Sequence, residues 1–238
     1  VSGSHRAIQL PLDLPSAEAM GREDFLEAPS NALALAALDA PQGLPNGLSV
    51  LVGPPGSGKT HLARIWAEAV DAHWQPVDTL GHDLPALLEP GAALNVVVDD
   101  AQCIAGTRGE EAMFHLVNHL RGRGQLLLTA PVPVRDWGLR LPDLISRLSA
   151  AAHPALAEPD EALLAAVLVK LFSDRQLRVE PALIDYLLER MERSLGAARA
   201  LVAEMDRRGL QFRRRMTRDL AREALAEILD KTDEDEAP

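Results

Sequence analysis

One cysteine, Cys103, excludes an internal disulfide, so the fold has to be held by packing, and a lone thiol fits a reducing compartment and a small core position. No apolar run approaches the ~20 residues that a bilayer span needs, and residues 1–6 lack the apolar centre of a secretory signal. The expected location is therefore cytoplasmic, with no membrane partner. Positive charge is in deficit, since 24 Lys and Arg against 35 Asp and Glu give a formal net charge of -11. That balance argues against wrapping nucleic acid through bulk electrostatics and against direct sequence-specific DNA binding. No internal repeat is found. What remains is a chain of 238 residues, 47% hydrophobic and 25% charged, long enough for one large or two modest cores. Residues 1–5 read like a cloning remnant and are set aside from the fold.

The most informative stretch is 48–62, where an apolar strand runs through a glycine-rich turn directly into a helix. Its G-x-x-x-x-G-K-T pattern is a phosphate-binding loop. Gly53, Gly56 and Gly58 let the backbone wrap with its amides inward around Ser57, and the N-terminus of the following helix adds its positive end. Lys59 is placed to reach the outer phosphates of ADP or ATP, and Thr60 to give a hydroxyl to Mg2+. A chance Gly/Pro turn would not carry both the correct strand and the correct helix.

Downstream, a β-branched run at 94–98 ends in Asp99 and Asp100. A strand buried on both faces delivers such acids at its C-terminal edge, Asp99 to hold magnesium through water and Asp100 to polarise an attacking water. A second buried strand, 124–129, ends in Thr129, whose hydroxyl falls where it can touch a γ-phosphate or that water. Residues 74–77 read as a weak strand and 150–156 as a fifth. Helices are expected over 32–38, with Ser30 or Asn31 as N-cap, over 61–70 and over 110–121. His115 and His119 stand four apart on the last of these, but without the Glu of H-E-x-x-H or a third ligand they read as a polar helix face. Residues 141–148 form a turn and short helix ending in an isolated arginine, Arg147, for which a local pairing with Asp143 is the simplest structural role.

From residue 159 the pattern is helical throughout, over 161–172, 181–193, 196–208 and 217–229. The expected fold is α/β, a five-stranded parallel sheet over 22–156 followed by a small all-helical domain over 157–230. Residues 1–21 form an N-terminal arm and 231–238 a disordered acidic tail. In the arm, Gln9, Leu10, Leu12 and Leu14 alternate between prolines as in an extended peptide, which is either a ligand for another protein or a strip packed on its own domain. Arg207, Arg208, Arg213, Arg214, Arg215 and Arg218 form a basic cluster that could touch single-stranded DNA. It lacks interleaved aromatics beyond Phe212, so a solvated helix and turn is the preferred reading.

Taken together, the loop, the paired acids, the strand-ending hydroxyl, the S-R-L arginine and the helical C-terminal part resemble an AAA+ module of the DnaA-related family. The resemblance runs from about 21 to 229. It rests on residues 25–31, 58–62, 99–102, 114–118 (Phe-His-Leu-Val-Asn), 141–148 and 197–201. It implies that Asn31, His61, Thr129 and Arg199 join the loop residues around an adenine nucleotide, Arg199 as the sensor arginine of the lid. It also implies that Arg147 is an arginine finger serving a neighbour's nucleotide. The family's initiator continues into a basic helix-turn-helix domain, whereas this chain is expected to stop after the lid and to begin with a clamp-binding peptide. That architecture is similar to the Hda family of DnaA homologues. It implies docking of Gln9, Leu10, Leu12 and Leu14 on the DNA polymerase III sliding clamp (β subunit), action on DnaA, self-association and inhibition of re-initiation. A helicase-loader-like ATPase acting on single-stranded DNA and a free-standing ATPase motor are the rival expectations.

Overall fold

Short runs of Val and Leu between glycine- and proline-bearing turns fold into four parallel strands, β1 (Leu48–Val52), β2 (His73–Gln75), β3 (Asn95–Val98) and β4 (Gln125–Ala130). Their spatial order is β1-β4-β3-β2, with Val50 opposite Leu128 and Val97 opposite Leu127. The computed structural model describes residues 21–40, 43–89, 91–92, 94–212 and 214–235. The expected clamp peptide, Gln9, Leu10, Leu12 and Leu14, lies outside the described residues.

The two-residue period of the strands sorts their side chains between two helical layers. Val50, Val96, Val98, Leu126 and Leu128 pack with α3 (Leu80–Leu87), α4 (Gly109–Leu120) and α5 (Pro142–Ser149), through Leu80, Met113, Leu116, Leu144 and Leu148. Leu51, Val97 and Leu127 face the other way, onto α1 (Ala32–Leu38) and α2 (Lys59–Ala69), through Leu35, Leu62, Ile65 and Trp66. The sheet is thus covered on both faces, and its strand ends are left to carry polar chemistry.

The sheet has four strands, not the expected five. Residues 150–156 do run parallel beside β1, but only as two isolated bridges, Ser49 with Ala152 and Val52 with Ala155. Pro154 has no N–H to give, so the ladder breaks at its centre; Val50 N–H donates to Ala152 O at 2.8 Å and Leu156 N–H to Val52 O at 2.8 Å on either side. Helix α3, not among the helices expected from the sequence, contains two poor helix formers, Gly81 and Pro85. Packing of fully buried Leu80 overrides them, and buried Gln75 anchors the entry by donating to Thr79 Oγ1 and to Asp83 Oδ2, each at 3.0 Å.

After residue 159, α6 (Glu161–Asp174), α7 (Pro181–Leu188), α8 (Leu195–Phe212) and α9 (Arg218–Asp235) build a core of their own around Leu168, Phe172, Leu187, Leu201 and Met205. Asp160 caps α6 by accepting from Leu163 N–H at 2.7 Å, and Pro181 opens α7. Helix α9 continues through Asp235, so the charged stretch from 231 is helical to that point where a disordered tail was expected. Once a helix is nucleated by buried residues such as Leu220 and Ala224, each further residue adds a hydrogen bond at small cost.

Three arginines of the basic cluster of the C-terminal helices are paired with acids within the fold. Arg207 and Arg208 both reach Glu204 at 2.6 Å, Arg208 also reaches Glu227 at 2.8 Å, and Arg214 pairs with Glu223 at 2.6 Å. The Arg207 hydrogen bond, against the opposing cost of burial, and the Arg208 bond hold the Glu204 carboxyl down at about 2. Arg218 lies over the Tyr186 ring, 5.7 Å from its centre.

A second carboxylate organises the other end of the molecule. Glu110, 5% exposed, accepts from Gly106 N–H at 2.7 Å with one oxygen and from the N–H groups of Arg140 and Leu141 at 2.8 and 2.9 Å with the other. It therefore ties the turn before α4 to the entry of α5, the helix that carries Arg147. Burial alone would raise its pKa, but the three amides outweigh burial and hold it below the ordinary glutamate value. A depressed carboxylate stabilises the fold above the unfolded pKa and loses that contribution as pH falls through the folded one. We expect Glu110→Gln, which turns an NH2 toward an amide donor, to cost about 1–3 kcal/mol in urea unfolding at neutral pH. Its stability should also fall less steeply than the wild type's as pH drops below the glutamate range.

Candidate nucleotide site

The candidate site forms where β1, β3 and β4 end together, at the point where the strand order reverses. Gly56 and Gly58 take positive φ, +68° and +99°, as the turn into α2 requires. A Cβ on Gly53 would come within 2.8 Å of Leu156 O, and one on Gly56 would collide with Ser194. The backbone thus winds tightly enough to leave a concave run of amides at the start of α2.

Lys59 is 8% exposed and donates to the carbonyls of Gly53 at 2.8 Å and Pro54 at 2.9 Å, lying along the loop. Burial lowers its pKa while the nearby Asp100 and Asp99 charges oppose that shift. Thr60 Oγ1 donates to Asp99 Oδ2 at 2.9 Å, and Thr129 Oγ1 donates to the other Asp99 oxygen, so two hydroxyls from separate elements converge on one carboxylate. Thr129 Oγ1 also accepts from Asp100 N–H at 3.0 Å. Asp100 itself stands exposed in the left-handed region, at φ +50°, with its backbone held by that hydroxyl.

Two further groups close over the loop. Ser194 Oγ accepts from Ala197 N–H at 2.9 Å, capping the start of α8, and Leu195 N–H donates to Gly56 O at 2.8 Å. One turn further on, Arg199 meets His61 Nδ1 at 2.7 Å, and the His61 ring packs edge-on against Phe25 at 5.3 Å. Beside them lies a small cavity lined by Phe25, Leu26, Leu163, Leu171 and Leu195 together with polar side chains that include Asp24 and Lys170. Asp24 and Lys170 pair at 2.7 Å. Asn31 is buried, but its side chain is turned to the loop before α1, donating to Leu26 O and accepting from Ala28 N–H, both at 2.9 Å. It shapes that loop and makes no side-chain cap on α1.

The sequence-expected residues Gly53, Gly56, Ser57, Gly58, Lys59, Thr60, His61, Asp99, Asp100, Thr129 and Arg199 thus gather in one place. Arg147 is not among them. It sits near the end of α5, which leads to the N-terminal end of β1 through Ala152 N–H and Leu48 O at 3.4 Å. That is the opposite end of the sheet. Among the described residues it makes no ion pair, with Asp143 or otherwise, and its guanidinium lies 5.4 Å from the centre of the Phe114 ring. Sequence reasoning missed the Ser194–Leu195 contact and the Asp24–Lys170 pair. A serine directly before a helical run signals the first as a cap; no local signal exists for the second.

The glycine cradle, the helix terminus and the lysine fit a polyphosphate, and the Thr60 hydroxyl beside Asp99 fits a hard cation. Among the described residues no group of three or more His, Cys, Asp or Glu could hold a metal ion, so a cation here would share its shell with phosphate oxygens. No helix among them is long and apolar enough to cross a membrane.

No protein-family profile matches the sequence. Among solved structures, the chain is similar to domain III of the Thermotoga maritima replication initiation protein DnaA, at 18% identity and a TM-score of 0.77, over 87% of this chain and 96% of that one. It is similar to AMPPCP-bound DnaA from Aquifex aeolicus at 21% identity and 0.65, over 81% and 67%. It is also similar to the Thermotoga maritima RuvB Holliday junction branch migration motor at 21% and 0.59, over 83% and 66%. The chain spans 62% of a DnaA bound to AMPPCP and single-stranded DNA. At these identities the likeness speaks for the fold, and the fold is the α/β AAA+ fold that DnaA and RuvB share.

Proposed function

We propose that this chain is an adenine-nucleotide-binding regulator of replication initiation of the Hda type. On this reading it docks on the DNA-loaded sliding clamp and promotes hydrolysis of the ATP bound to DnaA, preventing re-initiation. The observation that carries the proposal is the position of Arg147. Five residue steps of β4, about 16 Å, separate the strand starts from the strand ends, so Arg147 stands away from the chain's own loop, which supports a role at a neighbour's nucleotide. Its lack of an ion pair among the described residues keeps the guanidinium available for charge that develops on a transferring phosphoryl group.

Within the chain, residues 22–156 act as the nucleotide-binding base and 157–230 as a lid hinged against it. The amides from Gly53 to Gly58 and Lys59 hold the phosphates of ADP or ATP, and Thr60 and Asp99 hold Mg2+, which when bound neutralises phosphate charge. Asp100 orients water, and Thr129 fixes the Asp99 carboxylate and the Asp100 backbone at the strand ends. Arg199 and His61 link the lid to the phosphates, while Asn31 and Phe25 shape the wall around the base. Gln9, Leu10, Leu12 and Leu14 dock on the clamp as an extended peptide, and the chain self-associates in the manner of its family. The AMPPCP-bound DnaA structures of the same fold support the nucleotide reading.

Three measurements test the parts separately. Lys59→Ala removes a charge-assisted phosphate contact and should weaken ADP binding at least ~10-fold by calorimetry. Removing residues 1–15 should abolish co-elution with the clamp while ADP binding persists. In a mixture of DnaA·ATP and DNA-loaded clamp, Arg147→Ala should lower conversion of DnaA-bound ATP to ADP by ~10³. Arg147→Lys should not restore it, because lysine keeps the charge and loses the planar fork. Full stimulation by Arg147→Ala protein that binds nucleotide and clamp would falsify the finger.

A further inference from the structure

At the strand starts, away from the loop, a groove of about 1010 Å³ opens between the turn that precedes β4, residues 121–124, and the end of α5. Among the described residues its wall holds three arginines, Arg121, Arg123 and Arg147, and no aspartate or glutamate. This distribution runs against the chain's net charge of -11. Other exposed arginines meet acids, among them Arg22 with Asp39, Arg193 with Glu161 and Arg222 with Asp219. Arg121 and Arg123 are exposed and, among the described residues, form no salt bridge. Their turn is held to the fold by backbone bonds, with Arg123 and Gly124 N–H both donating to Leu120 O at 2.9 Å. The two side chains are therefore carried on a fixed turn without being spent on internal contacts.

Resting on the proposed role of Arg147, we infer that Arg121 and Arg123, on the wall that Arg147 also lines, form a docking groove for the polyphosphate of a nucleotide presented by a neighbouring DnaA. A magnesium-bound triphosphate exposed at the edge of a protein is a compact anion, and three cations on a concave wall without an acid complement it in sign and shape. Arg147 addresses the phosphoryl group that is transferred. Arg121 and Arg123, on the rim, draw in and orient the nucleotide-bearing face, and their pull reaches about one Debye length, ~8 Å at physiological salt. They are positioning residues, and their removal changes docking, whereas removal of Arg147 lowers the hydrolysis rate at saturation.

The test compares wild-type protein, the double variants R121A/R123A and R121K/R123K, and Arg147→Ala. Each is titrated by surface plasmon resonance against immobilised DnaA carrying ATP or no nucleotide, and by the ATP-hydrolysis assay with DNA-loaded clamp. The wild type should bind the ATP form more tightly than the empty form, and R121A/R123A should bind the ATP form about tenfold more weakly, narrowing that preference. Its half-maximal concentration in the hydrolysis assay should rise equally and depend less on salt, and R121K/R123K should keep most of the wild-type value. Wild-type binding and salt dependence in R121A/R123A, with Arg147→Ala inactive, would overturn the groove and leave the proposed function standing. A wild type that neither binds nor stimulates DnaA would overturn both. A 30-nucleotide oligo(dT) that binds the wild type and is released by R121A/R123A would instead make the groove a nucleic-acid site and overturn the inference.

Discussion

The hydrogen bond from Leu195 N–H to Gly56 O, 2.8 Å, is the contact on which the arrangement of the two halves depends. It joins the glycine loop of the sheet to the first residue of α8, and with it two hydrophobic cores that otherwise have separate members. A side chain at Gly56 would strike Ser194, so a main-chain approach this close is open only to glycine. Everything that closes the site follows from it. The cap of α8 is set, Arg199 arrives one turn later beside His61, and the Asp24–Lys170 pair ties the segment before α1 to α6. Residues from both halves therefore border the loop.

The strand ends show a second economy. Asp99 receives one hydroxyl from the loop helix and one from β4, and Thr129 in turn fixes the backbone of Asp100. Three elements from distant parts of the sequence are thereby held to one geometry. Glu110, buried on three amides, fixes the entry of α5, the helix whose far end carries Arg147.

Much of this was legible in the order of residues, and for a definite reason. The phosphate loop, the acid-ended β3 and the hydroxyl-ended β4 are local patterns, in which the residues that do the chemistry also dictate the turn, strand or cap that carries them. Gly58 followed by Lys59 and Thr60, or Val96 to Asp100, is both structure and site. The helical C-terminal half was legible too, since apolar residues at three- and four-residue spacing fix a helix wherever it packs. Only tertiary structure could decide the rest, because those outcomes depend on what lies across the chain. Pro154 reduced an expected fifth strand to two bridges on β1, and Leu80 on the sheet overruled Gly81 and Pro85 in α3. Arg207, Arg208 and Arg214 found Glu204, Glu223 and Glu227 on the same and neighbouring helices, so a basic run in sequence became a neutral seam in space. Arg121, Arg123 and Arg147, unremarkable as a set in sequence, came together on one wall. Composition counts charges, but whether an arginine is paired or presented is settled by folding, which alone sets the distance between groups.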